Sequence, residues 1–319
     1  MRDEPKIDRG AIVDCLRLQY GREATYIDYL PVGLDYNAVV YRVSTGSDRL
    51  LVKIRRNKFY PPSCLVPRWL ADQGIESVVA PLSTTDGTLW SEADSWKLIV
   101  YPYIEGTTER TGMTPEQWAG VGRSFRRIHD SRSPPTDGIR VETFTPSKYG
   151  RRLEELAAML ESDPSAAAQE LRPLWRKHGE DVFPLCKRME ALATALRSSD
   201  VPLVICHADL HAANLLRDRP DHAYIIDWDD VMLAARERDF IFVEDPGVAG
   251  SSPFFEGYGL HELSWQALAY YRYERVVTDA IAYIEEAVIL DVSDSIDRFA
   301  RNLDSGMLSA AQRAEQRIR

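Results

Sequence analysis

Cysteine is scarce and dispersed: four residues in 319, at Cys15, Cys64, Cys186 and Cys206, with no CxxC pair. That spacing excludes a disulfide framework and a thiolate zinc site, and leads to the expectation of reduced, mostly buried thiols in a cytoplasmic protein. Long apolar runs are missing too. No stretch approaches membrane-spanning length. The opening residues, MRDEPKIDRG, are charged from the second position and contain no apolar segment of a secretory signal. Positive charge is in deficit, with 39 Lys and Arg against 49 Asp and Glu, for a formal net charge of -10. A phosphate-backbone partner needs the opposite excess, so no nucleic-acid partner and no membrane are expected. A cationic ligand fits this charge, although many soluble proteins are acidic for solubility alone.

What is present is an ordinary globular composition, 45% hydrophobic and 28% charged, over a length that suits two lobes or one large α/β domain. The first hundred residues read mainly as strands. YIDYLPVGLDYNAVVYRV suggests two antiparallel strands joined around Gly33 to Asn37, RLLVKIRR a third, and SVVAPL, GTLW and WKLIVYPYIEG continue the pattern. One short helix fits CLVPRWLADQG, ending near Gly74. At Thr114 the character changes. TPEQ combines an N-cap threonine, a first-turn proline and a glutamine at the third position, and Trp118, Val121, Phe125 and Ile128 follow at helical spacing. RRLEELAAMLE, AAAQELRPLWRKHG and PLCKRMEALATALRS predict further helical segments, and helices resume from about Ser264 after the short strand in AYIIDWDD. The simplest architecture is α+β, with an antiparallel-sheet amino-terminal lobe over 1–103 and a mainly helical carboxyl-terminal lobe over 104–319.

Three separated stretches carry the chemistry. Lys53 lies in the short apolar strand LLVKIRR, where a solvent-facing lysine is the ordinary alternative. Asp209 and Asn214 lie in HADLHAAN, after the apolar strand LVIC. Asp227 ends the strand YIIDWDD, where an acid is often just a turn former. Together they match the parts needed to move a phosphoryl group from ATP: a strand lysine on the phosphates, a loop aspartate, an asparagine five residues later on Mg2+, and a second metal-binding aspartate. The physical need is to cancel the phosphate charge while a carboxylate orients the acceptor hydroxyl. A metal site of His207, Asp209 and His211 is the competing reading of the same loop. It would need further ligands, and His129, His178, His222 and His261 stand in no paired motif.

HADLHAANLL followed by YIIDWDD resembles the aminoglycoside phosphotransferase family, a branch of the protein-kinase-like fold with H-x-D-x-x-x-x-N and a later I-D-W/F-D/E. IIDWDDVMLAARERDF, FFEGYG and YYRYERVVTDAIAY are most similar to its spectinomycin phosphotransferases. The resemblance implies Asp209 as catalytic base, Asn214 and Asp227 as Mg2+ ligands, Lys53 on the ATP phosphates and His207 as a brace of the loop. It also implies a hinge in VYPYI, with backbone groups near Pro102, Tyr103 and Ile104 reading the adenine edge, and a phosphate-covering loop in VGLDYN. That loop contains one glycine, Gly33, a weak phosphate-cradling pattern.

The sequence departs from the kinase pattern in one respect: the segment after Lys53, KFYPPSCLVPRWLADQG, contains no glutamate to pair with the lysine, only Asp72. Asp229 could approach the metal region or be a solvated turn acid. Ala208 stands where protein kinases carry arginine, and no A-P-E phrase follows, so the resemblance implies a small-molecule acceptor. For a cationic one, Glu274 and Asp279, with Tyr271 and Tyr283 in phase, could form an acidic and aromatic face. A solvated helix face is the alternative. The expectation is an ATP- and Mg2+-dependent kinase acting on a hydroxyl of an aminocyclitol such as spectinomycin. A kinase of choline, a sugar or homoserine, or a non-catalytic nucleotide-binding protein of this fold, stays open.

Overall fold

Alternation along one short strand organises the amino-terminal sheet. The computed structural model describes residues 4, 7–32, 38–56, 59–93, 96–109, 111–135, 137–245, 252–290, 294–304 and 306–318. Strands β1 (Ala24–Leu30), β2 (Ala38–Thr45), β3 (Arg49–Arg55), β4 (Ser91–Ala93) and β5 (Trp96–Pro102) form an antiparallel sheet in the order β1-β2-β3-β5-β4. On β3, Leu50, Val52 and Ile54 are buried, while Leu51, Lys53 and Arg55 point to the opposite face. The buried set packs with Val39, Tyr41 and Val43 of β2, Leu98 and Val100 of β5, and Ile12, Cys15, Leu16 and Tyr20 of helix α1 (Arg9–Tyr20). Each such side chain contributes about 1.5–3 kcal/mol by leaving water.

The chain forms two compact units, one of residues 1–140, 205–232 and 243–259, the other of 141–204, 233–242 and 260–319. The first also contains α2 (Pro62–Asp72), α3 (Pro115–His129), α6 (Pro253–Tyr258) and a hairpin of Leu215–Arg219 with His222–Ile225. The capping box expected at Thr114 is formed, with the Gln117 amide N–H donating to the Thr114 hydroxyl and the Gln117 side chain accepting from the Thr114 N–H. α3 and α6 meet backbone to backbone. A Cβ at Gly122 would lie 2.0 Å from the Phe254 carbonyl, and one at Gly257 would lie 2.0 Å from that of Ala119, so neither position admits a side chain.

The second unit is helical, with α4 (Ser147–Ser162), α5 (Ala166–Arg197), α8 (Asp294–Asp304) and α9 (Met307–Glu315) packed on α7 (Trp265–Leu290). Buried residues occur all round α7, from Ala267 to Ala287, as expected of a central helix. Among the described residues no helix is long and apolar enough to cross a membrane.

Several local expectations are corrected. α1 was unanticipated, yet Asp8 caps it by accepting from the Gly10 N–H, and Gly21 ends it at φ 61°. SVVAPL and GTLW are not strands; Val78 makes only an isolated bridge to Ile225. α5 is one helix where two were expected. Pro173 and Pro184 lie inside it, with Leu171, Trp175, Val182 and Leu185 buried around them, so packing outweighs the lost hydrogen bonds.

Candidate active site

Lys53 sits on the sheet face away from the α1 core, opposite Val40 of β2 and Ile99 of β5. Its Nζ donates to the carboxylates of Asp227 and Asp229, each at 2.8 Å, and Arg55, two residues along the same face, donates to Asp229 at 2.7 Å. Burial alone would lower the Lys53 pKa. The two carboxylates reverse that and raise it, so the ammonium stays charged.

The segment 206–214 is built around His207, which is fully buried. The Asp209 N–H donates to His207 Nδ1 at 3.3 Å, which puts the imidazole proton on Nε2, 2.9 Å from the Ile226 carbonyl it serves. Both ring nitrogens are therefore engaged within the protein, and the His207–Asp209–His211 metal reading fails. His211 Nε2 lies 3.3 Å from the Asp209 carboxylate. Asn214 donates its side-chain N–H to the Asp209 carbonyl at 2.9 Å and to the Asp209 carboxylate at 3.3 Å. That fixes the amide and leaves Oδ1 as the atom a hard cation would take.

Trp228 is buried, its ring 4.8 Å from that of His207, so its neighbours Asp227 and Asp229 turn the other way, toward Lys53. Asp227 adopts φ 63° and Ala208 φ 70°, left-handed conformations rare outside glycine. Such strain gathers at functional sites, and here one outlier, Asp227, is itself in the converging set and the other, Ala208, directly precedes Asp209. Partial desolvation opposes ionisation of Asp227, but Lys53, by charge and hydrogen bond, holds its pKa below the usual carboxylate value, with Asp209 opposing. Asp209, Asn214, Asp227 and Lys53 thus belong to one linked set. Asn214 Oδ1 and the Asp227 carboxylate are oxygen donors of the kind Mg2+ prefers, so the donor chemistry fits that ion.

In and beside the segment VYPYI, the Tyr103 N–H donates to the Arg49 carbonyl and the Leu82 N–H to that of Val100. Alternation then turns the Pro102 carbonyl to the same edge as that of Val100, away from β3. Among the described residues, nothing accepts from the Ile104 N–H. These are the backbone groups that could meet a purine edge. The Tyr103 ring lies under the guanidinium groups of Arg42 and Arg49. Gly33 and the rest of Gly33–Asn37 lie outside the described residues.

Glu274 and Asp279 belong to the second compact unit. Glu274 is buried, accepts from the Tyr149 hydroxyl at 2.8 Å and is ion-paired with Arg238. Asp279 pairs with Arg275 at 2.9 Å. The aromatic faces are covered in the same way, Tyr271 by Arg238 and Tyr283 by Arg298. The open acidic face expected from the helix pattern is thus neutralised by the chain's own arginines. Arg238, far from α7 in sequence, gave no periodic sign of this. Arg55 and Arg140 were also missed: Arg140 donates to the Asp229 carbonyl at 2.9 Å and lies over the Tyr60 ring.

An antiparallel sheet with a helical portion, a strand lysine held by two aspartates, and an aspartate and asparagine on one loop define a kinase-like phosphotransferase. The model of the phosphotransferase enzyme family matches residues 28–272, and the chain belongs to that family. Its fold is similar to that of spectinomycin phosphotransferase APH(9)-Ia solved with ADP and spectinomycin, at 26% identity and TM-score 0.84, over 98% of this chain and 100% of that one. The macrolide 2'-phosphotransferase MphH of Brachybacterium faecium shares the fold at 16% identity and TM-score 0.55, over 92% of this chain and 97% of that one. Choline kinase LicA of Streptococcus pneumoniae does so at 17% and 0.54, over 94% and 99%. A sequence search of curated proteins found no match.

Proposed function

We propose that this phosphotransferase uses ATP and Mg2+ to phosphorylate a hydroxyl of spectinomycin or a closely related aminocyclitol, in the cytoplasm. The observation that carries the acceptor is the likeness to the spectinomycin enzyme along nearly the whole of both chains. In this reading Asp209 accepts the proton of the attacking hydroxyl and orients its oxygen. Lys53 binds the nucleotide phosphates, and the backbone of Pro102, Tyr103 and Ile104 meets the adenine, with Gly33 in the loop above the phosphates. Asn214 and Asp227 would hold Mg2+, which supplies charge neutralisation for the transferred group. The amino-terminal lobe, 1–103, binds nucleotide, and 104–319 supplies catalysis and the acceptor site. Glu274 and Asp279 remain candidate contacts for the acceptor's ammonium groups, which would have to displace Arg238 and Arg275 from them.

The non-catalytic alternative rested on the missing glutamate partner of Lys53; Asp227 and Asp229 pair with the lysine instead, which favours the catalytic reading. Mass spectrometry of spectinomycin incubated with the protein, ATP and magnesium tests the proposal. One added phosphate is expected. Turnover of choline or another metabolite with none of spectinomycin overturns the acceptor and keeps the chemistry.

A further inference from the structure

The helix that follows the strand of Lys53 offers no partner for it. Its one acid, Asp72, is engaged by Arg68 at 2.5 Å. The carboxylates that do hold Lys53, Asp227 and Asp229, are not equivalent. The Asp227 side chain is 48% exposed and Asp229 29%. Asp229 is also fastened on two further sides, its carboxylate by Arg55 at 2.7 Å and its carbonyl by Arg140 at 2.9 Å. Arg140 is itself placed, its backbone N–H donating to the Tyr60 hydroxyl at 2.8 Å, which in turn donates to the Val231 carbonyl at 2.9 Å. Asp229 is therefore a braced anion, whereas Asp227 belongs, in the reading above, to the metal.

An ammonium has three N–H donors. With two on the aspartates, one is left for a phosphate oxygen, and the direction of that third donor is set by the first two. We infer that Asp229 positions Lys53, doing from the end of the Asp227–Asp229 turn what a glutamate on the following helix does elsewhere, with Arg55 fixing its carboxylate. Lys53 then stays aimed when Asp227 engages the metal. Arg55 also adds a second cation, so that Lys53 and Arg55 together face the two carboxylates of Asp227 and Asp229. This inference rests on Lys53 being the phosphate-binding residue.

The test has two parts. In nucleotide-free protein, the Lys53 Nζ signal of a 15N-lysine NMR spectrum reports whether the ammonium is held, because held ammonium protons exchange slowly with water. The signal is expected to persist in Asp227→Asn, to vanish in Asp229→Asn and to return in Asp229→Glu. In single-turnover assays Asp229→Asn is expected to lower the transfer rate about 100-fold, the size of effect a misplaced group produces. The double variant Lys53→Met/Asp229→Asn should be no slower than Lys53→Met alone, since Asp229 acts through the lysine. A Lys53 signal unchanged in Asp229→Asn, or losses that multiply in the double variant, overturns the inference. Wild-type transfer by Lys53→Met would instead overturn the phosphate-binding reading of Lys53, and the inference with it.

Discussion

The side-chain amide of Asn214 is bonded to both the carbonyl and the carboxylate of Asp209, so two residues five apart hold each other's orientation. The proposed proton acceptor and the amide that would bind metal are thus held relative to one another. Asp209→Ala is expected to leave nucleotide affinity within about twofold, since the Asn214 amide keeps the carbonyl contact. It should lower turnover about 10²–10⁴-fold, the usual worth of a general base. Calorimetry and steady-state rates on one preparation check both halves. Parallel loss of ATP binding contradicts the role.

Asp227→Ala acts differently. It removes a charged oxygen donor from the proposed metal position and leaves Lys53 with Asp229. ATP should bind it equally well with magnesium and with a chelator present, whereas the wild-type protein binds more tightly with magnesium. Isothermal titration under the two conditions decides this.

Glu274→Ala tests whether that acid serves the fold or the acceptor. Glu274 is the partner of Arg238, whose guanidinium burial would acidify but Glu274 and the Tyr271 environment hold firmly charged. Stranding that cation is expected to cost about 3 kcal/mol, read as a fall in thermal midpoint. An unchanged midpoint with a raised KM for the acceptor would assign Glu274 to substrate instead.

Gly122→Ala and Gly257→Ala should each destabilise by about 3 kcal/mol, the upper end of overpacking costs, because the obstructing atoms are backbone carbonyls that cannot rotate away. Denaturant midpoints give the measurement. Gly46→Ala, where nothing lies within 4 Å, is the control and should change little.

Glu142 gives the acid-range prediction. Burial, and then the charge of Glu274, raise its pKa above the ordinary glutamate value of 4.5, against hydrogen bonds from the Phe144 and Thr143 N–H groups. The folded protein thus holds this proton more tightly than the unfolded chain. The stabilisation is complete below 4.5 and is lost as pH rises through the raised folded value. Glu142→Gln removes the titration, so its melting temperature relative to wild type should climb as pH rises from about 4 to about 7. A pH-independent difference would refute the assignment.

The legible parts of this chain were those encoded locally. TPEQ specified a capping box, alternation in RLLVKIRR specified a strand, and the spacing of Asp209, Asn214 and Asp227 singled out residues that the structure links. Lys53 could be placed on β3 but not aimed. Its two carboxylate partners lie more than 170 residues away, and no periodicity connects Arg55 to Asp229. The pairing of the α7 acids was illegible for the same reason: helical spacing shows which side chains share a face, but the arginine paired with Glu274 comes from another element. α5 was divided between Gly179 and Pro184 because propensity is local, while the packing that overrides it is not.

The link between β2 and β3 has a consequence for engineering. The Thr45 N–H and hydroxyl both donate to the Asp48 carbonyl, while the Asp48 N–H returns to the Thr45 hydroxyl. This small knot sets which side chains of β3 look which way. Lengthening it by a single residue would rotate the ammonium into the oily interior and push Val52 outward. An exposed turn is in that sense a determinant of where Lys53 points, and insertions there should inactivate while leaving every residue of the proposed site unchanged.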